Sequence, residues 1–290
     1  INTKAIEAYQ DQRKTVGAVG EGKTPKGSTL NRDASIIKAI FRYAMREEYI
    51  KEAPQMPKHH HFAQRASFTR GEMKKLQKKL DEWVDMVSPL DGGHVKDYRE
   101  LFRLYVLIIT YTGIRPGKEM CSLQWSDISY PKTKAGEAFP RLIAITSKSK
   151  KMESKKRPVV GMPQLIPHLK RFEELGHLYD KSKPIFIHPK TTQLNKAYIG
   201  KPIQTFKKQW TSFIEWAELK HEAKEPHRER QLYSCRHYYF EQRLLRADVP
   251  MLALAKNGGT SIQVLEKWYA ELQSDQYADG LAGIIERENS

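Results

Sequence analysis

Thr112-Gly113-Ile114-Arg115-Pro116-Gly117-Lys118-Glu119 is the stretch on which the reading of this chain turns. It closes an apolar pattern in which Leu101, Leu104, Tyr105, Ile108 and Ile109 recur at helical spacing, so a helix is expected over 95–112. Gly113 before the arginine and Pro116-Gly117 after it are turn formers. They set Arg115 on a short, stiff loop, where a planar guanidinium suits a two-pronged phosphate contact. Taken alone, the segment reads better as a surface arginine in a helix–helix turn.

Outward from this loop the chain is mostly helical. Helices are expected at 70–85, 163–175, 204–219, 235–246, 249–256 and 261–272, and short strands at Arg141–Thr146 and Arg157–Val160. The fold class is therefore mainly α with one small antiparallel sheet (α+β). Two further helices come first. One runs from Thr3 to Val16. The other covers 28–50, with Ser28 and Thr29 as N-caps and Leu30, Ala34, Ile37, Ile40, Phe41, Ala44 and Met45 on its apolar face. Pro54 to His61 carries two prolines and no periodicity and reads as a linker. Its three adjacent histidines point in different directions, which suits solvent and not a metal. The division is a helical module at 1–63 and a larger unit at 64–290.

The 290 residues carry 50 Lys plus Arg against 34 Asp plus Glu, a net charge of +16, which favours a polyanionic partner, above all nucleic acid. An acidic membrane surface would want a basic helix with a wide apolar face, and none is found. No apolar run approaches the ~20 residues of a membrane span, and no segment has the build of a signal peptide. Cys121 and Cys235 are too few for a disulfide framework or a cysteine zinc site, so a reducing compartment is expected. The chain opens on Ile1, which points to a fragment whose helical module is N-terminally truncated.

Three more segments draw attention. The connection Lys148-Ser149-Lys150-Lys151-Met152-Glu153-Ser154-Lys155-Lys156-Arg157 between the strands holds six basic residues in ten; it is either a phosphate-contacting hairpin tip or a solvated loop. Tyr233-Ser234-Cys235-Arg236-His237 offers a second arginine beside a histidine. Gly258-Gly259-Thr260-Ser261-Ile262-Gln263 is followed by Val264-Leu265-Glu266-Lys267-Trp268-Tyr269, which places a tyrosine nine residues after Thr260.

In this order and spacing the four segments resemble the tyrosine recombinase (phage integrase) family over nearly the whole chain. The resemblance implies that Arg115 and Arg236 are the two catalytic arginines, Lys148 the hairpin lysine and Tyr269 the nucleophile. Tyr233 stands where the family usually has a histidine, and Thr260 where it usually has His or Trp. Sequences with Tyr-Ser-x-Arg-His and Gly-Thr-Ser form a variant group, which this chain matches. Tyr233 is then either an active-site hydroxyl or a packed aromatic. Thr260 begins a Thr-Ser-Ile-Gln capping pattern and is either a helix cap or a phosphate ligand. Glu119 and His237 are expected to orient their neighbours, and Cys235 to be a small buried residue. Lys150, Lys151, Lys155, Lys156 and Arg157 are expected to contact DNA.

The implied activity is site-specific recombination or integration of duplex DNA through a 3′-phosphotyrosyl intermediate, with no metal and no cofactor. The chemistry suits the residue types. Two guanidiniums meet the extra charge on the phosphate oxygens in the transition state, and a cationic pocket favours ionisation of a phenol. The implied fold is the recombinase catalytic domain at 64–290, preceded by the latter part of a core DNA-binding domain at 1–63, the two closing on duplex DNA. The implied partners are double-stranded DNA, further copies of the chain in a tetrameric synapse exchanging the C-terminal helix of 270–290, and accessory directionality factors. The setting would be the bacterial or phage-derived cytoplasm, near the nucleoid, on a phage or other mobile element. Two alternatives stay open: a DNA-binding regulator of the same fold that has lost cleavage, and a type IB topoisomerase-like enzyme.

Overall fold

The computed structural model describes residues 2–16, 25, 27–57, 66–87, 93–146, 155–189, 199–222, 228–246 and 248–269. It divides into two compact units, Ile1–Gln64 and Arg65–Ser290. In the first, α1 (Thr3–Val16) and α2 (Gly27–Arg46) bury Ile6, Leu30, Ala34 and Phe41. Helix α2 stops short of the expected residue 50. Glu48 adopts φ 59°, and the Tyr49 N–H bonds back to the Ala44 carbonyl at 2.9 Å, a Schellman ending made without glycine. Ser28 and Thr29 lie in the first turn, after the helix has begun, and Ile40 and Met45 remain exposed. A pair of helices buries only a narrow stripe of each.

The second unit is built around α4 (Gly93–Thr112), every residue of which from Leu101 to Thr110 is buried. A helix buried on all sides is a central one. Its Thr110 and Thr112 hydroxyls are satisfied by the carbonyls four residues back, at 2.9 and 2.6 Å. Against it pack α3 (Arg70–Asp85), α6 (Ile166–Leu175), α7 (Lys207–Trp216) and α8 (Leu232–Arg246). An aromatic cluster binds them: Phe102 lies 5.3 Å from Trp83 and 5.6 Å from Phe213, and Tyr105 lies 4.8 Å from Phe206 between ring centres. Helix α3 starts in a capping box between Thr69 and Glu72, and α7 ends, as α2 does, on a glutamate of positive φ, Glu218.

Strands β1 (Arg141–Thr146) and β2 (Lys155–Val160) form an antiparallel pair in which Leu142 faces Val159 and Ala144 faces Arg157. Leu142, Ala144 and Val159 are fully buried, so this face is the inner one. The single turn α5 (Lys118–Cys121) follows the Arg115 loop, and α9 (Met251–Gly258) and α10 (Ile262–Tyr269) close the unit. Tyr239, Phe240, Leu244, Leu254, Ala255 and Leu265 make a second, smaller core that seats α9 and α10 on α8. Among the described residues no helix is long and apolar enough to cross a membrane. The segments 58–61 of the expected linker and 270–290 of the expected C-terminal helix lie outside the described residues.

The N-terminal edge of this unit is locked by polar groups. Ser67 donates its N–H to Glu222 at 2.7 Å and its hydroxyl to Glu241 at 2.6 Å, while its carbonyl accepts from Arg230 at 2.7 Å. Burial raises the Glu241 carboxyl from 4.5 to about 7; the Ser67 hydrogen bond opposes the rise and the Glu222 charge adds to it. The folded protein thus holds this proton more tightly than the unfolded chain. Stability falls as pH rises from about 4.5 to about 7, and the full cost stands above that window. Glu241→Gln keeps an acceptor for Ser67 and removes the charge. It should raise stability at pH 8 by on the order of 1–3 kcal/mol and change little at pH 4, read as thermal or denaturant midpoints at the two pH values.

Candidate active site

The site forms where four elements meet: the turn after α4, the inner face of β2, helix α8 and the C-terminus of α9. Helix α9 ends in a Schellman motif. Gly259 has φ 63°, the Thr260 N–H reaches the Ala255 carbonyl at 2.9 Å, and the Gly259 N–H reaches the Lys256 carbonyl at 3.1 Å. The carbonyls of Asn257, Gly258 and Gly259 are left facing the site, and each receives a different arginine. Arg157 donates to Asn257, Arg236 to Gly258 at 2.8 Å, and Arg115 to Gly259. Arg236 also donates to the Gly113 carbonyl, which fastens α8 to the turn that carries Arg115. Cations at a helix C-terminus are favoured by its partial negative charge.

Glu119 supplies the countercharge. Its Oε1 accepts from Arg157, and its Oε2 accepts the Arg115 N–H at 3.3 Å and lies 4.0 Å from the Arg115 guanidinium. With three guanidiniums and one carboxylate, the site keeps an excess of positive charge. The Arg115 side chain retains 28% of its exposure, whereas Arg236 as a residue retains 2% and packs its guanidinium 4.8 Å from the Phe240 ring centre.

A side chain is disfavoured at Gly113, Gly258 and Gly259; on Gly258 a Cβ would stand 2.2 Å from the Phe240 ring. Gly113 has φ 66°, and a Cβ on it would stand 2.3 Å from the Tyr239 ring. Gly259 combines its positive φ with an Arg157 guanidinium 2.9 Å from where a Cβ would be. Tyr233 is half-buried, one turn before the buried His237, with ring centres 5.2 Å apart and the Arg236 guanidinium 5.6 Å from the Tyr233 ring. Thr260 does not cap α10: Ser261 does, its Oγ accepting the Val264 N–H at 3.4 Å. Among the described residues the Thr260 hydroxyl makes no hydrogen bond, and it stands half-exposed beside the Arg115–Gly259 contact. Tyr269 is the last residue of α10. Lys148, Lys150 and Lys151 lie outside the described residues; Lys155 opens β2, and Lys156 is exposed on its outer face. Cys235 is buried, and burial pushes its thiol up to about 12.

No protein-family model matches the chain, and no curated protein matches it in sequence. Solved structures match it in shape. The XerH site-specific recombinase bound to its difH substrate aligns with 100% of this chain and 72% of its own, at TM-score 0.60 and 18% identity. The Tn1549 transposon integrase in complex with circular intermediate DNA aligns with 97% of this chain and 85% of its own, at TM-score 0.64 and 14% identity. The XerA recombinase aligns with 100% and 85%, at TM-score 0.50 and 14% identity. The fold is that of the tyrosine recombinases.

Within this fold, Asn257 is a residue that motif reading passed over. Its Oδ1 accepts the Val160 N–H at 2.8 Å, and its Nδ2 donates to the Val160 carbonyl at 3.0 Å, to Tyr239 Oη at 3.1 Å and to the Thr112 carbonyl at 3.4 Å. The side-chain amide thus extends the edge of β2 as a third strand would, and holds β2, α4, α8 and α9 together. Local sequence carried no signal for this, because the Val160 and Thr112 partners lie 97 and 145 residues away along the chain. Asn257→Asp removes the donor and sets a carboxylate against two carbonyls. It should destabilise the unit by roughly 2–3 kcal/mol at pH 8, and by less below pH 4, where a protonated acid regains one donor. Denaturant unfolding at the two pH values reads the difference.

Proposed function

We propose that this chain is a tyrosine site-specific recombinase that cleaves and rejoins duplex DNA. The observation that carries the reading is the gathering of Arg115, Arg157 and Arg236 on the last carbonyls of α9, two residues ahead of the helix that ends in Tyr269. The match in shape to recombinases solved with DNA supports it, as does the net charge of +16.

In the proposed reaction the Tyr269 oxygen attacks the scissile phosphorus. The bond from phosphorus to the 5′-oxygen breaks, that oxygen leaves with a proton, and a 3′-phosphotyrosyl bond keeps the energy for rejoining. A 5′-hydroxyl from the partner duplex then attacks the same phosphorus and restores the phenol. Arg115 and Arg236 meet the non-bridging oxygens, where charge builds up in the transition state. Thr260 and Tyr233 offer hydroxyls to the same phosphate in place of histidines. Lys148, on the basic connection with Lys150, Lys151, Lys155 and Lys156, delivers the proton to the leaving oxygen. Residues 1–63 form a helical core-binding module and 64–290 the catalytic domain. Recombination takes place between paired copies on two DNA sites.

The test needs a duplex selected from a random pool by binding to the wild-type chain, with a nick beside the cleavage point that traps the adduct. Tyr269→Phe should bind this duplex as the wild type does and form no covalent adduct. Arg115→Ala and Arg236→Ala should each slow adduct formation by the equivalent of ~3–4 kcal/mol. A wild-type chain that binds the duplex but yields no adduct on denaturing gels would overturn the reading. Binding should also weaken with salt, with a log–log slope of about −0.9 per phosphate neutralised. A slope near zero would remove DNA as the partner.

A further inference from the structure

Arg157 belongs by sequence to the basic connection between the strands, and its neighbours there point to DNA. Its side chain does not. Strand alternation puts Arg157 on the same face as Val159, opposite Ala144, and that face is the core face. Only 15% of its side chain is exposed. The guanidinium donates to Glu119 and to the Asn257 carbonyl, lies 3.5 Å from the Lys256 carbonyl, and rests against Gly259, 2.9 Å from where a Cβ would stand. Its Nε–H is buried and meets no acceptor among the described residues. A buried donor left without an acceptor is costly, and an apolar residue beside Val159 would avoid that cost. The position is therefore a poor one for stability alone.

We propose that Arg157 is a positioning residue that ties the basic strand connection to both halves of the active site. One arm sets the carboxylate of Glu119, and Glu119 in turn holds the backbone and guanidinium of Arg115. The other arm sets the Asn257–Gly259 turn, whose last carbonyl also receives Arg115 and whose next residues are Thr260 and helix α10. A displacement of β2 passes through the contacts of the Arg157 guanidinium to Arg115 and to the turn before the helix of the nucleophile. The proposal rests on the recombinase reading for the word nucleophile; the mechanical coupling does not.

Three measurements on Arg157→Gln, Glu119→Gln and the double variant decide it, with the nicked, selected duplex as probe. A positioning role predicts adduct formation at saturating DNA slowed by about tenfold or more, with DNA affinity and salt slope unchanged. It predicts a double variant no slower than the slower single one, because both act through one linkage. It also predicts faster amide hydrogen exchange at Gly259 and Thr260 in the DNA-free protein. Arg157→Lys, which keeps the charge but not the two-armed reach, should show the same pattern in milder form and serves if Arg157→Gln does not fold. A salt slope reduced by about 0.9 with an unchanged rate at saturation would make Arg157 a phosphate contact and overturn the proposal. So would additive rate losses in the double variant. If the wild type forms no adduct, the recombinase reading fails, and exchange at Gly259 and Thr260 alone decides the coupling: unchanged exchange overturns it.

Discussion

The end of helix α9 is the point on which this site depends. A helix leaves its last carbonyls without intrahelical donors, and in most proteins water or a single cap satisfies them. Here Asn257, Gly258 and Gly259 present three carbonyls in succession, and three arginines from three different elements take one each. No two of those arginines are close in sequence. The turn acts as a template: it fixes the spacing of the guanidiniums by the spacing of peptide carbonyls, which is as rigid a ruler as a protein has. Gly113 and Gly259 follow from this, since a Cβ on either would push Tyr239 or Arg157 out of place. Asn257 follows as well, because the turn must itself be held against β2.

The sequence was legible where one period or one motif decided the outcome. The limits of α1, α3 and β1 agree with the apolar spacing, because each is bounded by a sharp change of pattern. It misled where a helix ended without a glycine. Glu48 and Glu218 both take the left-handed conformation that terminates α2 and α7, and nothing in a glutamate announces that. The capping of α10 shifted by one residue, to Ser261, since Thr260 and Ser261 are equivalent by composition and only the Schellman turn before them selects between the two. Arg157 was grouped with the exposed basic residues by counting charges along the connection. Parity along β2 would have separated it: Val159 is a core residue, and whatever stands two before it on the strand faces the same way. Charge counting finds a surface and alternation finds a side, and the second is the stronger constraint once a strand is recognised.

The three guanidiniums differ in what they are free to do. Arg236 is enclosed by the Tyr233 and Phe240 rings and by two carbonyls, so its position is over-determined from all sides. Arg157 is committed to Glu119 and the α9 turn. Arg115 is the outermost, tied by one arm to Gly259 and by its backbone to Glu119. A guanidinium carries five N–H donors in a fixed fork. Holding one arm on a carbonyl leaves the plane of the fork defined and other donors directed outward, which is how a protein fixes an arginine without spending it.

On the recombinase reading, this arrangement accounts for an otherwise awkward combination. A site that stabilises a doubly charged phosphate must collect positive charge, yet cations collected without a counterion repel one another and open the fold. A full set of carboxylates would hold them together and also cancel the field that the phosphate needs. Peptide carbonyls at a helix end are partial charges, strong enough to seat a guanidinium and too weak to neutralise it. One carboxylate, Glu119, is placed between Arg115 and Arg157, where it relieves the closest repulsion. Arg236 is seated by the Gly113 and Gly258 carbonyls, which hold the guanidinium without cancelling its charge. Two helix-end glycines and a single glutamate thus let the chain keep a cationic pocket assembled before the phosphate arrives, and such preorganisation is where most of the electrostatic advantage of a fixed site lies.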